Sequence, residues 1–146
     1  MILKGFIAIF VVLLMAKADF IRENKKQVVH DTSHCLIWQD DNRTKVIKKN
    51  WKDAIEFCEN LELGGYDDWR LPNINEIFTI SDKSKIDPAI QSEFNNVNTK
   101  NHYWTSTSWN GNHTSPIAWT FDFSDSNDED DDKNKELLIR CVRDKK

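Results

Sequence analysis

Apolar positions along the chain change period several times, and each change predicts an element. From Trp51 to Leu61 the residues Trp51, Ala54, Ile55, Cys58 and Leu61 recur at i, i+3, i+4, i+7 and i+10, the stripe that an amphipathic helix buries. Asn50 is placed to cap that helix, Asp53 suits its first-turn dipole, and Gly64-Gly65 supplies left-handed backbone at its end. A shorter helix opens at Asn73, where Glu76 stands three residues on as in a capping box and Ile74, Ile77 and Phe78 give an apolar face. Period two replaces the helical spacing elsewhere. Val28-Val29-His30 and Cys35-Leu36-Ile37-Trp38 flank the turn-prone Asp31-Thr32-Ser33 and read as a hairpin. Tyr103–Trp109 reads as a strand, and in 117–123 Ile117, Trp119, Phe121 and Phe123 alternate with Ala118, Thr120 and Asp122, the mark of a half-buried strand. A last strand covers 137–143, with Leu137, Ile139 and Cys141 on one face and Arg140 on the other. Between Asp82 and Asn101 the period is lost and asparagine is frequent, which predicts a long surface loop with a helical turn near Ser92.

Two helices in the first half and strands in the second give an α+β class, with the helices packed on a small, mainly antiparallel sheet and joined by long loops. The first 18 residues stand apart from this domain. Met-Ile-Leu-Lys leads into a 12-residue apolar run, Gly5 to Ala16, closed by Ala16-Lys17-Ala18 before Asp19. That order predicts a cleaved signal peptide, 1–18, and a run of this length falls short of the roughly 20 residues of a membrane span. The expected product, 19–146, is a single domain that is periplasmic or secreted. It keeps 18 basic residues against 24 acidic ones, a net charge of −6, which repels polyanions. Nucleic acid is therefore a poor partner, and Arg43, Lys45, Lys48 and Lys49 read as a solvated loop.

Three cysteines in an exported domain of this size suggest one disulfide and one leftover thiol. Cys58 points inward from its helix and Cys141 inward from the last strand, which favours a Cys58–Cys141 bridge and leaves Cys35 as the odd thiol, buried and inert. Pairing of Cys35 with Cys58 or Cys141 stays open at this point. Catalysis by Cys35 has little support, because His34 beside it would point to the opposite face of a strand.

Trp69-Arg70-Leu71-Pro72 is the most distinctive tetrapeptide, and it reads as a structural corner: Trp69 and Leu71 in the core, Pro72 setting the turn, Arg70 paired with Asp67 or Asp68. Of six tryptophans, at least four occupy core positions, while Trp109, beside the turn Asn110-Gly111-Asn112, is the indole expected at the surface. Trp109, Asn110 and Asn112 are accordingly the candidate ligand contacts. Asp122, Asp125 and Asp128 lead an acidic run to Asp132 that offers oxygens of the kind calcium takes, but the run lacks the order of an EF-hand loop and reads as a solvated loop. His30, His34, His102 and His113 show no zinc-ligand spacing. No cofactor is expected.

Leu36-Ile37-Trp38-Gln39-Asp40-Asp41, Trp51-Lys52-Asp53-Ala54 with Cys58, Gly65-Tyr66-Asp67-Asp68-Trp69-Arg70-Leu71-Pro72, Tyr103-Trp104-Thr105-Ser106-Thr107, Ala118-Trp119 and Arg140-Cys141-Val142-Arg143 fall in the order of a known family. On these motifs the chain resembles the Lcl C-terminal domain family over nearly all of 19–146. The resemblance implies a compact exported bacterial domain with a C-type-lectin-like or formylglycine-generating-enzyme-like fold, the helix cysteine bridged to that of the last strand. It also implies an adhesion or binding module of the envelope, with a glycan or an envelope or surface protein as partner. An enzyme on the loop face, or a structural envelope component whose Cys35 bridges two copies, are the alternative classes. Two features depart from the family pattern: Cys35 stands where a small residue, often glycine, is usual, and the acidic stretch after Phe123 replaces a shorter, glycine-bearing one.

Overall fold

The structure is a computed structural model that describes residues 19–146; the signal-peptide expectation, 1–18, lies outside the described residues. Strands and loops dominate, with three short helices and two sheets, an α+β fold. β1 (Phe20–Glu23), β2 (Val28–Asp31) and β3 (Leu36–Gln39) form an antiparallel meander, and the last strand, β9 (Val142–Asp144), pairs with β3. After a one-turn helix α1 (Arg43–Val46) and a two-residue strand β4 (Lys48–Lys49) comes α2 (Trp51–Glu59), followed by α3 (Ile74–Thr79). The second sheet holds β5 (Tyr103–Ser108), β6 (Ile117–Asp122), β7 (Asn127–Asp132) and β8 (Leu137–Leu138) in the order β4-β8-β5-β6-β7.

The two longer of these helices, α2 and α3, start as their sequences dictate. The Asn50 side chain accepts from the Asp53 amide, and Asn73 with Glu76 forms a complete capping box, so the donors that a helix start leaves unpaired are satisfied. α2 buries Ala54 and Cys58 from its stripe. It ends at Asn60 without the glycines; Gly64 and Gly65 instead make the tight turn between Leu63 and Tyr66, where both take left-handed φ, +65° and +82°.

Neighbouring residues of one strand enter different apolar clusters, so the sheets are covered on both faces. Val29, Trp38 and Tyr103 join Phe121, Phe123, Leu138 and Val142 with Ile77 and Ile80 of the α3 region, while Val28, Ile37 and Trp104 join Ala54, Cys58 and Leu61 of the α2 region with Trp69 and Leu71. The segment Asp82–Asn101 contains no helix or strand, but it is not only a surface loop: Ala89, Ile90 and Phe94 are buried, and Ile90 and Phe94 complete the first cluster. Three tryptophans, Trp38, Trp69 and Trp104, are fully buried, one fewer than expected; Trp51 packs half-buried against the second cluster.

The stretch 137–143 is not one strand. Leu137–Leu138 belong to one sheet and Val142–Asp144 to the other, and Arg140 lies between them with no exposed surface. Arg140 is thus a core residue like Leu138, Ile139 and Cys141 around it, and the two-face alternation expected over 137–143 is not kept. Its Nη1 donates to an Asp40 carboxylate oxygen at 2.9 Å and to the Gln39 carbonyl at 2.7 Å, and its Nη2 to the Asn96 carbonyl. Asp40, equally buried, also accepts from Arg22 and from the amides of Asn95 (2.8 Å) and Asn96 (3.1 Å). Phe94 and Tyr103 flank the guanidinium. This network ties the long irregular segment to both ends of the chain, and its burial and multiple hydrogen bonds are what make an interior charge tolerable.

The bridge joins Cys58 to Cys141, closing a separation of 83 residues and fixing α2 to the segment between the sheets. Cys35 is free, but it is exposed rather than buried and sits in the β2–β3 connection at φ +54°. Left-handed backbone favours glycine, which accounts physically for the small residue usual at that place. Ser126, at φ +64° in the β6–β7 turn, is the corresponding case in the second departure.

Candidate functional site

The exposed indole singled out by its turn lies where β5 ends. Ser108 is buried, and the next two turn positions, Asn110 (φ +51°) and Gly111 (φ +66°), both take left-handed backbone, which asparagine and glycine adopt at least cost. The reversal leaves Trp109 39% exposed, its ring stacked on Trp119 of β6 with centroids 5.2 Å apart and planes at 26°. Asn112 is engaged within the loop: its amide donates to the Trp109 carbonyl, and its Oδ1 accepts from the Thr114 amide and hydroxyl at 3.0 and 2.8 Å. Directly across from Trp119 on β7 stands Asp130, and across from Ile117 stands Asp132.

Lys133, which sequence reasoning did not single out, holds this loop in place. Its ammonium donates to Ser108 Oγ (2.8 Å) and the His113 carbonyl (3.1 Å), bracketing the loop, and lies 3.8 Å from the centre of the Trp51 ring. Its backbone amide donates to Pro116 and its carbonyl accepts from Trp51. Burial pushes the Lys133 ammonium down from its ordinary pKa. The one available signal was a lysine closing an otherwise acidic run.

That run, 127–132, is not a solvated loop. It is the edge strand β7, paired residue for residue with β6. Its carboxylates are mostly exposed, as suits a sheet edge that must not recruit another strand. The three cation candidates are dispersed by this geometry: Asp122 accepts from the Ser124 amide, Asp125 from the Asn127 amide and side chain, and Asp128 faces outward opposite Phe121. Among the described residues no group of three or more His, Cys, Asp or Glu is placed to hold a metal ion.

Trp69, Leu71 and Pro72 are buried as a corner. Arg70 makes a bidentate pair with Glu76 at 2.7 and 2.6 Å and reaches Asp144 at 2.9 Å, rather than pairing with Asp67 or Asp68. Asp68 instead receives Arg143, whose guanidinium holds its carboxyl below the ordinary carboxylate value. The partners are exchanged because β9 brings Arg143 and Asp144 alongside this segment through the Arg70–Val142 bridge.

His34 lies in a turn, bonded to Asp31, and lines a cavity of about 340 Å³ that Cys35 does not line. His102 Nδ1 meets both Asp131 (3.2 Å) and Thr120 Oγ1 (3.5 Å). One nitrogen serving both partners is not a relay, and Thr120 has no exposed surface for a substrate to reach. Burial pushes the Asp131 carboxyl up, but Lys135 and His102 outweigh it and the net shift is downward.

The described residues contain no helix long and apolar enough to cross a membrane. The Lcl C-terminal domain family matches residues 27–143. No curated protein matches the chain.

Proposed function

We propose that this chain, which belongs to the Lcl C-terminal domain family, is an exported, noncatalytic binding module of lectin-like topology that takes a glycan or an envelope or surface protein on its loop end. The observation that carries the reading is the Trp109–Trp119 stack: an exposed indole backed by a second ring and presented by a loop that Lys133 fixes at both ends. Rigid aromatic surface is what sugar faces and protein hot spots use, and prior fixing lowers the ordering cost of binding. The buried Asp40–Arg140 network and the Cys58–Cys141 bridge supply the frame, and they account for the most regular motifs without any catalytic role. Export is supported by the disulfide, which persists in oxidising compartments.

The test is capture of glycans from an array by the oxidised chain, followed by mass spectrometry of the captured material. Retention of an unchanged glycan is the expected result. Conversion to a product would overturn the noncatalytic reading in favour of an enzyme on the loop face, and the absence of any capture would overturn the glycan reading.

A further inference from the structure

Beneath the 109–116 loop lies a cleft of about 260 Å³, lined by Trp51, Ile55 and Glu59 of α2, Arg70 and Leu71 of the buried corner, Ser106 of β5 and His113 of the loop. It is distinct from the Trp109–Trp119 stack, although the same loop forms one of its walls. We propose that this cleft binds one uncharged sugar ring, a second site beyond the loop-end surface.

Its floor is apolar and fixed. Leu71 is buried, Ile55 belongs to the α2 stripe, and the Trp51 indole is held by its N–H donating to the Thr105 carbonyl at 2.8 Å. Lys133 lies over the same ring, 3.8 Å from its centre, and is not among the lining residues. The indole atoms that line the cleft are already oriented for contact with a pyranose.

The rim is polar and uncommitted. The Glu59 carboxylate and the His113 imidazole are exposed and the Ser106 hydroxyl is half-buried, and none of the three has a side-chain partner among the described residues. The cation on the wall, Arg70, is consumed by Glu76 and Asp144. Lys133 donates to Ser108 Oγ and the His113 carbonyl and lies over the Trp51 ring without lining the cleft, so the free charge that an anionic ligand meets on the lining itself is the like charge of Glu59, whereas hydroxyl groups find two acceptors and a hydroxyl. A wholly apolar ligand would strip water from Glu59 and return no hydrogen bond. The volume lies just under the roughly 300–1,000 Å³ of sites that take drug-sized molecules, which limits the occupant to about one ring.

The test is a titration of the isotope-labelled oxidised chain, followed by the amide and indole N–H resonances, with methyl β-glucopyranoside, methyl N-acetyl-β-glucosaminide and, as the anionic comparator, methyl β-glucuronide. The Trp51 indole N–H, protected by Thr105, reports the cleft; that of Trp109 reports the loop end. The expected result is a saturable shift of Trp51 and His113 with at least one uncharged glycoside, at a Kd of about 1–10 mM, and binding of the glucuronide about tenfold weaker. Glu59→Gln, an exposed change that leaves the floor intact, is expected to narrow that preference. No saturable Trp51 shift, or equal binding of the glucuronide, would overturn the proposal. Shifts confined to Trp109 and Trp119 would also overturn it, while leaving the loop-end surface standing.

Discussion

Asp40→Asn removes the negative charge from the centre of the buried network while keeping the side chain's shape. In the native protein the Asp40 carboxylate receives Arg140, Arg22 and the amides of Asn95 and Asn96, and neither Asp40 nor Arg140 has exposed side-chain surface. The asparagine leaves a guanidinium buried without its counter-charge, and its amide nitrogen faces donors. Breaking a buried pair from one side costs about 3–5 kcal/mol, a large part of the roughly 5–15 kcal/mol that holds a domain of this size folded. An unfolding entropy of about 2.1 cal/mol/K per residue over residues 19–146 comes to about 0.27 kcal/mol/K, so Tm should fall by about 11–19 °C. Thermal unfolding followed by near-ultraviolet circular dichroism measures it, with Lys26→Ala, which removes an ion pair to Glu23 that is exposed on both sides, as the control expected to leave Tm nearly unchanged. A fall of less than about 3 °C for Asp40→Asn, or one no larger than the control's, would refute the claim that this pair locks the fold.

Reducing the bridge, or replacing Cys58 and Cys141 together with serine, should cost about 4.5 kcal/mol in the chain-entropy account because the closed loop is long, and denaturant titration with and without reductant reads this. Cys35→Gly should hold or raise Tm by up to about 1 kcal/mol equivalent, since it relieves left-handed backbone at φ +54°, whereas Cys35→Ala should not; a loss with glycine would contradict the conformational reading. Asp68, Asp82 and Asp131 all have folded pKa values below the ordinary 3.8, so the stability they contribute is present above that value and is lost as pH falls through the lower folded ones. Tm should therefore fall as pH drops below about 4, and Asp68→Asn should flatten that slope.

What the sequence made legible was local. The capping residues Asn50 and Asn73 with Glu76, the apolar stripe of α2 and the β2–β3 hairpin are each set by neighbours within a few positions, and all appear in the fold; β6 forms as a strand, but it buries Ala118 and Thr120 along with Phe121 and leaves Ile117 and Trp119 half-buried, so the expected single buried face is not kept. What escaped depends on distant partners. β7 has no apolar period because neither of its faces is buried; it exists because the β6 edge and the turn at Ser126 place it there, and its charges suit an edge. The burial of Arg140 was not legible because its partner Asp40 stands a hundred positions earlier in the chain. Arg70 and Asp68 exchange their expected partners because β9 returns alongside them. At the candidate surface, Trp109 was legible from the glycine and asparagines that follow it, but Lys133, which holds its loop, was hidden at the end of an acidic run.

The central claim is that recognition sits on the loop end carrying Trp109 and Trp119, supported by a frame that does no chemistry. Its most direct test is glycan-array binding by the oxidised chain beside Trp109→Ala. Trp109 is partly exposed and lies outside both apolar clusters, so the variant should lose only the stack on Trp119, about 0.5–1.5 kcal/mol or about 2–6 °C of Tm, while binding to the array hits falls by about tenfold or more. Unchanged binding by the folded variant would contradict the claim and move recognition away from this surface.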